Sequence, residues 1–112
     1  MPKPLDPDEE RLAALLARCG LSPRAARVHA ALARGDAQTA PELAAATGLA
    51  RQDAAEGARE LEAAGLARVE KVASGGRPAL RYHALREGLG ALVARRRAQL
   101  QEELAALDKV TW

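Results

Sequence analysis

The chain has 112 residues, of which 48% are hydrophobic and 29% are charged, a composition typical of a folded domain rather than of a disordered segment. Its formal net charge of +2 is too small to indicate a nucleic-acid partner by itself. The single cysteine, Cys19, excludes an intramolecular disulfide and a cysteine-rich zinc site, and the longest uncharged apolar run, residues 12–17, is far too short to span a membrane. We therefore expect one cytoplasmic domain without a metal ion or another cofactor.

The N-terminal third of the chain predicts a short lead-in followed by two helices. Residues 1–7 contain three prolines, which indicates a disordered segment. Residues 8–19 open with acidic side chains, carry leucines on one side and are followed by a glycine, as expected of a helix and its stop. Ser22 and Pro23 provide a capping residue and a first-turn proline, so a second helix is expected to start there and to end just before Gly35.

A pair of helices joined by a tight turn is predicted over residues 39–64. The sequence Thr-Ala-Pro-Glu at 39–42 is a capping box, and Gly48 ends the first helix with the left-handed conformation that the turn requires. The second helix is expected over 50–64. A helical wheel places Ala54, Gly57, Ala58 and Leu61 on one face and Gln52, Glu56, Arg59 and Ala63 on the opposite face.

The next segment predicts a two-stranded hairpin with a basic tip. Strands are expected over residues 66–73 and 79–84, joined by the Ser-Gly-Gly-Arg-Pro sequence at 74–78. Positive charge is concentrated here, because residues 67–86 contain five basic side chains and one acidic one, Glu70.

A long helix with an apolar stripe is predicted over residues 86–110. The stripe is formed by leucines and valines that recur at helical spacing. Because a small domain cannot cover a stripe of this length, we expect the helix to pair with its copy in a homodimer. The predicted interface residues are Leu89, Leu92, Val93, Leu100, Leu104 and Leu107.

These elements predict a mainly α fold with a small β-hairpin wing, a winged helix-turn-helix over residues 8–85 followed by a C-terminal dimerisation helix and tail over 86–112. Residues 12–100 resemble the N-terminal domain of the TrmB family of winged-helix transcriptional regulators. The stretches that carry the resemblance are Gly20-Leu21-Ser22, Ala26-Arg27-Val28, Thr39 to Ala44, Thr47 to Arg51, Arg59 to Glu62, Gly65-Leu66, Gly76-Arg77-Pro78 and Arg81-Tyr82.

The resemblance implies a DNA-binding transcriptional regulator. A recognition helix at 51–64 would enter the major groove of duplex DNA, and a basic wing at 67–84 would contact the backbone or the minor groove. The predicted DNA-contacting residues are Arg51, Gln52, Ala55, Glu56, Arg59, Lys71, Arg77 and Arg81.

Two features depart from the TrmB pattern. Regulators of this type generally continue into a C-terminal sugar-binding domain, whereas this sequence stops at Trp112, so no sugar-binding domain and no sensing through one are expected. The predicted recognition helix also contains two arginines against four acidic residues, Asp53, Glu56, Glu60 and Glu62. Phosphates repel such a helix unless its carboxylates point away from the DNA or accept hydrogen bonds from cytosine amines.

The alternative to a DNA-binding regulator is a winged-helix adaptor that binds a protein of the transcription apparatus, because a fold does not by itself determine a function. An enzyme is not expected, since the sequence has no phosphate-binding loop, no nucleophile with a matching base and no cluster of metal ligands. His29 and His83 are interpreted as ordinary packing or surface residues, and Cys19 as a small core side chain.

Overall fold

The computed structural model describes residues 3–36 and 38–111. Within them the chain forms five helices and three strands, and the winged helix-turn-helix predicted from the sequence is confirmed. The elements are α1 (Pro7–Arg18), α2 (Pro23–Leu32), β1 (Gln38–Thr39), α3 (Ala40–Thr47), α4 (Arg51–Ala63), β2 (Ala67–Ser74), β3 (Arg77–Ala84) and α5 (Arg86–Thr111).

Side chains just before the first three helices fix where those helices begin. Asp6 caps α1 and Ser22 caps α2, where the Ser22 hydroxyl accepts a hydrogen bond from the Ala25 amide at 3.2 Å. At α3 the Glu42 carboxylate reaches back and accepts from the Thr39 amide at 3.0 Å, as the capping-box sequence predicts. This backbone hydrogen bond is the main reason why the pKa of Glu42 is lowered.

The segment before α1 is ordered against the domain, which corrects its interpretation as a disordered lead-in. The Leu5 amide donates to the Ala46 carbonyl at 3.1 Å, and the Leu5 side chain packs against the core. The Arg34 guanidinium donates to the carbonyls of Lys3 and Pro4 at 2.7 and 2.9 Å. The proline content of this segment favoured disorder. The contacts that order it are made by distant residues, and the local sequence gives no sign of them. The first two residues of the chain lie outside the described part.

The turn between α3 and α4 has the geometry that the sequence predicts. Gly48 has a φ of 74°, in the left-handed region, and its amide donates to the Ala44 carbonyl at 3.0 Å. The Arg27 guanidinium, from α2, donates to the Thr47 carbonyl at 2.6 and 3.1 Å and therefore satisfies the C-terminal end of α3. The two helices of the motif are thus tied to α2 at their junction.

The hairpin is longer, and its turn tighter, than predicted. The turn consists of Gly75 and Gly76 alone, with φ values of 60° and 79°, and the strands extend to the Ser74–Arg77 pair. Two positive φ angles in succession belong to the two-residue turn that matches the twist of a hairpin. Pro78 is accommodated within β3 because β1, on the other side of that strand, pairs only with residues 81 and 82. The two-residue strand β1 was not predicted.

The core is built from small and aliphatic side chains, because the chain has no phenylalanine and only 2% of its residues are aromatic. The largest fully buried hydrophobic side chains are leucines and a valine, and Tyr82 is the aromatic residue among the buried ones in the described part of the chain. Helix α2 lies at the centre of this core, where it packs against α1, α3, α4 and β3. Cys19 packs against the edge of the core, as expected of a small apolar side chain.

Helix α5 starts on the domain and then leaves it. Its first turns lie on the turn after α4, where Gly88 is so close to Gly65 that a β-carbon at residue 88 would overlap the Gly65 carbonyl. Leu92 is only 4% exposed and Leu89 packs against the same core, so the domain itself covers these two of the predicted interface residues. Residues 97–110 are all exposed. No helix within residues 3–36 and 38–111 is long and apolar enough to cross a membrane.

Glu9→Gln is expected to destabilise the protein in a pH-dependent way. Hydrogen bonds from Arg34, at 2.6 and 2.8 Å, are the main cause that lowers the pKa of Glu9 from 4.5 to about 2. The stabilisation by the ionised carboxylate is therefore complete above pH 4.5 and is lost as the pH falls towards 2. Near pH 7 the free energy of unfolding of the variant should be lower than that of the wild type by about 1 kcal/mol.

Denaturant unfolding of both proteins at several pH values measures this difference, and Glu102→Gln, on the exposed part of α5, is the matched control. A difference between wild type and Glu9→Gln that stays constant from neutral pH down to the lowest pH would contradict the assignment.

Candidate nucleic-acid interface

Helix α4 buries one face and exposes the opposite one, as its sequence pattern predicts. Ala54, Gly57, Ala58 and Leu61 are buried against the rest of the domain. The predicted contact residues Arg51, Gln52 and Arg59 are exposed, and Ala55 is half-buried beside them. The solvent-facing side of α4 therefore presents two guanidinium groups and one amide along about two helical turns.

Most of the acidic side chains of α4 point away from its solvent-facing side, which is one of the two arrangements that the sequence left open. Arg24, in the first turn of α2, donates from Nε to Glu60 at 2.7 Å and from Nη1 to Glu56 at 2.5 Å. Its Nη1 also lies 3.7 Å from an Asp53 oxygen, and the Ser22 hydroxyl donates to Glu60 at 2.5 Å. The Ser22 hydroxyl is the main cause that lowers the pKa of Glu60, and Arg24 contributes to the same effect. Three of the four carboxylates of the helix are thus directed towards α2.

Glu56 was predicted as a DNA contact, either accepting from cytosine amines or holding Arg59. Its carboxylate is instead engaged within the domain by Arg24, and it accepts a longer hydrogen bond from Gln52 Nε2 at 3.4 Å. Because Arg24 stands 32 residues before Glu56 in the chain, this partner is not visible in the sequence of α4. The spacing of the acidic residues at 53, 56 and 60 is the available signal, since it puts them on one side of the helix and indicates a basic partner there.

The wing places its basic residues on two faces. Residues paired directly across a hairpin share a face, and successive residues of a strand alternate between faces. Lys71 pairs with Leu80, and Arg77 pairs with Ser74, so the strand register puts Lys71 and Arg77 on opposite faces of the wing. Both are exposed, and Arg77 directly follows the two-glycine turn at the tip.

Arg81 lies farther from the tip and is half-buried. It pairs with Glu70 on β2 and with Thr39 on β1, so it occupies the middle of the sheet, and its buried Nε has no hydrogen-bond partner. Glu70 on the same face is bonded to His83 at 2.9 Å, and this hydrogen bond is the main cause that lowers the pKa of Glu70. Arg77, next to the tip, is in contrast an exposed basic position on that face.

The two histidines lie closer together than their separation in the sequence indicates. Both line a cavity of about 530 Å³ between the end of α2, the base of the wing and the start of α5. His29 is 3% exposed, and burial lowers its pKa. His83 is the partner of Glu70 described above.

Comparison with known proteins identifies a family. A family model described as MarR family matches residues 20–78, which extend from the capping residues of α2 to the first residues of β3 and include both helices of the helix-turn-helix. A comparison with curated proteins gives no match.

Solved structures of several regulators share the fold of this chain. TrmBL2, described as an archaeal chromatin protein with a novel mode of DNA binding, matches with a TM-score of 0.65 and 24% identity over 92% of this chain, which spans 38% of TrmBL2. A possible transcriptional regulator from Methanosarcina mazei Go1 matches with a TM-score of 0.61 and 13% identity over 82% of this chain and 83% of its own. An ArsR-like transcriptional regulator from Rhodococcus sp. RHA1 is 30% identical, with a TM-score of 0.52, over 88% of this chain and 91% of its own.

Proposed function

The chain belongs to the MarR family of winged-helix transcriptional regulators, and from this premise we propose that it binds duplex DNA. In this proposal α4 enters the major groove, and the wing tip at residues 75–78 contacts the backbone or the minor groove. The observation that carries the proposal is the exposed side of α4, where Arg51, Gln52 and Arg59 face solvent while three carboxylates of the same helix are turned towards α2.

The exposed residues of α4 suit a DNA surface in two ways. The two arginines attract phosphates and, in the groove, are able to donate two hydrogen bonds to guanine. Gln52, which lies between them along the helix, has an amide that matches the major-groove edge of adenine. Glu62 is exposed as well, but it lies in the last turn of the helix.

The wing would contribute contacts that orient the domain on the duplex. Arg77 follows two glycines, so no bulky side chain at the tip hinders its approach to the sugar-phosphate backbone or the minor groove. Contacts of this type add affinity without reading much of the sequence. Lys71 would reach the backbone from the opposite face of the wing, whereas half-buried Arg81 would contribute mainly through its charge.

We further propose that the protein acts as a homodimer that is held by α5. Beyond the domain, this helix exposes Val93, Leu100, Leu104 and Leu107, with exposed fractions between 41% and 62%. Val93, Leu100 and Leu107 are seven residues apart and Leu104 lies beside them, so the four form one apolar side. The same helix of a second copy covers such a side most simply, and it would fix the distance between the two recognition helices.

Arg77→Ala is expected to weaken duplex binding with little change in sequence preference. If one phosphate contact is lost, the slope of log affinity against log salt concentration should become shallower by about 1. Fluorescence anisotropy over a range of salt concentrations measures both quantities. Arg18→Ala, which removes an exposed arginine from α1, is the control and should leave the slope unchanged. Equal low-salt affinity of Arg77→Ala and wild type would exclude the wing tip from the interface.

Replacement of Leu100 and Leu104 together by Glu is expected to yield monomers, because it places charges where the two copies of α5 would meet. Replacement of Ala98 and Ala105 by Glu adds the same charge on the opposite side of the helix and should leave the dimer intact. Light scattering at micromolar concentration distinguishes the species. A monomeric wild type, or equal effects of the two double variants, would refute the proposed interface.

A further inference from the structure

The first turn of α2 and the acidic side of α4 form a connected network. Glu60 accepts from Arg24 Nε and from the Ser22 hydroxyl, and Glu56 accepts from Arg24 Nη1. Asp53 lies at the edge of the network, 3.7 Å from the same guanidinium. One arginine therefore faces three carboxylates of the neighbouring helix.

Besides the positive charge of Arg24, the end of α2 itself favours negative charge at this network. Ser22 is the capping residue of α2, and the first turn of a helix carries a partial positive charge from its unpaired amides. Carboxylates from α4 that point to this end of α2 are therefore stabilised there. With Nε and Nη1 bonded to two different carboxylates, the guanidinium links residues one helical turn apart on α4.

We propose that Arg24, together with Ser22, is a positioning residue of the DNA interface: it holds the carboxylates of α4 against α2, so that the side of the recognition helix that meets DNA is basic. The inference rests on the proposed DNA binding and assigns a role to a side chain outside the predicted contact residues. It also explains how a helix with four acidic residues and two arginines faces a polyanion.

Stabilisation of the fold alone is a weaker explanation of this network. The side chains of Arg24, Glu56 and Glu60 are each about one third exposed, at 37%, 33% and 34%, and ion pairs with this exposure contribute little to stability. Loss of the network would affect DNA affinity more than stability, because each released carboxylate would face a dense array of phosphates.

The test compares three variants in duplex binding at low salt. Arg24→Gln should weaken binding about fivefold, because it releases two carboxylates near the DNA surface. The triple variant Arg24→Gln, Glu56→Gln, Glu60→Gln should regain the affinity of the wild type within about twofold, since the released groups are then neutral. Arg11→Gln, which removes an exposed arginine from α1, is the control for the lost charge and should leave binding unchanged.

A second readout is independent of DNA. The carboxyl pKa of Glu60, followed by NMR, should rise in Arg24→Gln, because one of the groups that lower it is removed. Thermal unfolding of each variant establishes that the domain is folded at the temperature of the binding measurement.

Each remaining outcome counts against the proposal. Unchanged affinity of Arg24→Gln would show that the network does not influence the interface. A triple variant as weak as Arg24→Gln would show that Arg24 contacts phosphate directly and is not a positioning residue. If wild type binds no duplex at low salt, the proposed function and the role of Arg24 at a DNA surface are both overturned, whereas failure of the rescue alone leaves DNA binding in place.

Discussion

The close packing of α2 on α4 is the constraint on which the arrangement of the interface depends. Gly57 faces the backbone of α2, and a β-carbon there would lie 3.1 Å from both the Arg24 carbonyl oxygen and a methyl group of Val28. A side chain at this position would therefore crowd α2, whereas glycine allows the close approach. At this distance Arg24 reaches the carboxylates of α4, and the opposite side of α4 faces solvent. The same contact therefore fixes both the orientation of α4 and the charge of its exposed side.

The composition of the core has a consequence for the assembly. Alanine and leucine fill most of the interior, and because alanine is small the helices lie close together. The domain covers only the start of α5, at Leu89 and Leu92, and the helix extends the molecule to 66 Å along its longest axis. Its exposed apolar side and its junction with the domain at Gly88 are consistent with a rigid arm between two DNA-binding units, as proposed above.

Local signals in the sequence predicted most of the fold. Ser22, the capping box that starts at Thr39 and Gly48 each act through neighbouring residues, so their patterns identified the ends of the helices correctly. Features that depend on distant residues were not predictable in this way. Strand β1 forms only because Tyr82 and Arg81 of β3 lie beside it, and residues 3–7 are held by Arg34 and Ala46.

The same distinction applies to the candidate site. The periodicity of α4 correctly separated its buried face from the exposed face of Gln52 and Arg59, because periodicity is a property of the helix alone. Where the carboxylate of Glu56 points depends on Arg24, a residue of another helix. In the wing, the sequence grouped Lys71 with Arg77, and only the strand register shows that they lie on opposite faces. The number of acidic and basic residues in α4 and in the wing therefore did not predict which charges each surface presents.

NMR titration of the labelled protein with a duplex selected from a random pool tests the central claim most directly. If α4 and the wing form the DNA interface, backbone amide signals of residues 51–59 and of the wing tip at 75–78 shift on DNA binding. Signals from the exposed side of α1 and from the C-terminal half of α5 should stay in place. Shifts confined to α5, or no shifts in α4 at saturating duplex, would contradict the account and favour a winged-helix adaptor that binds another protein.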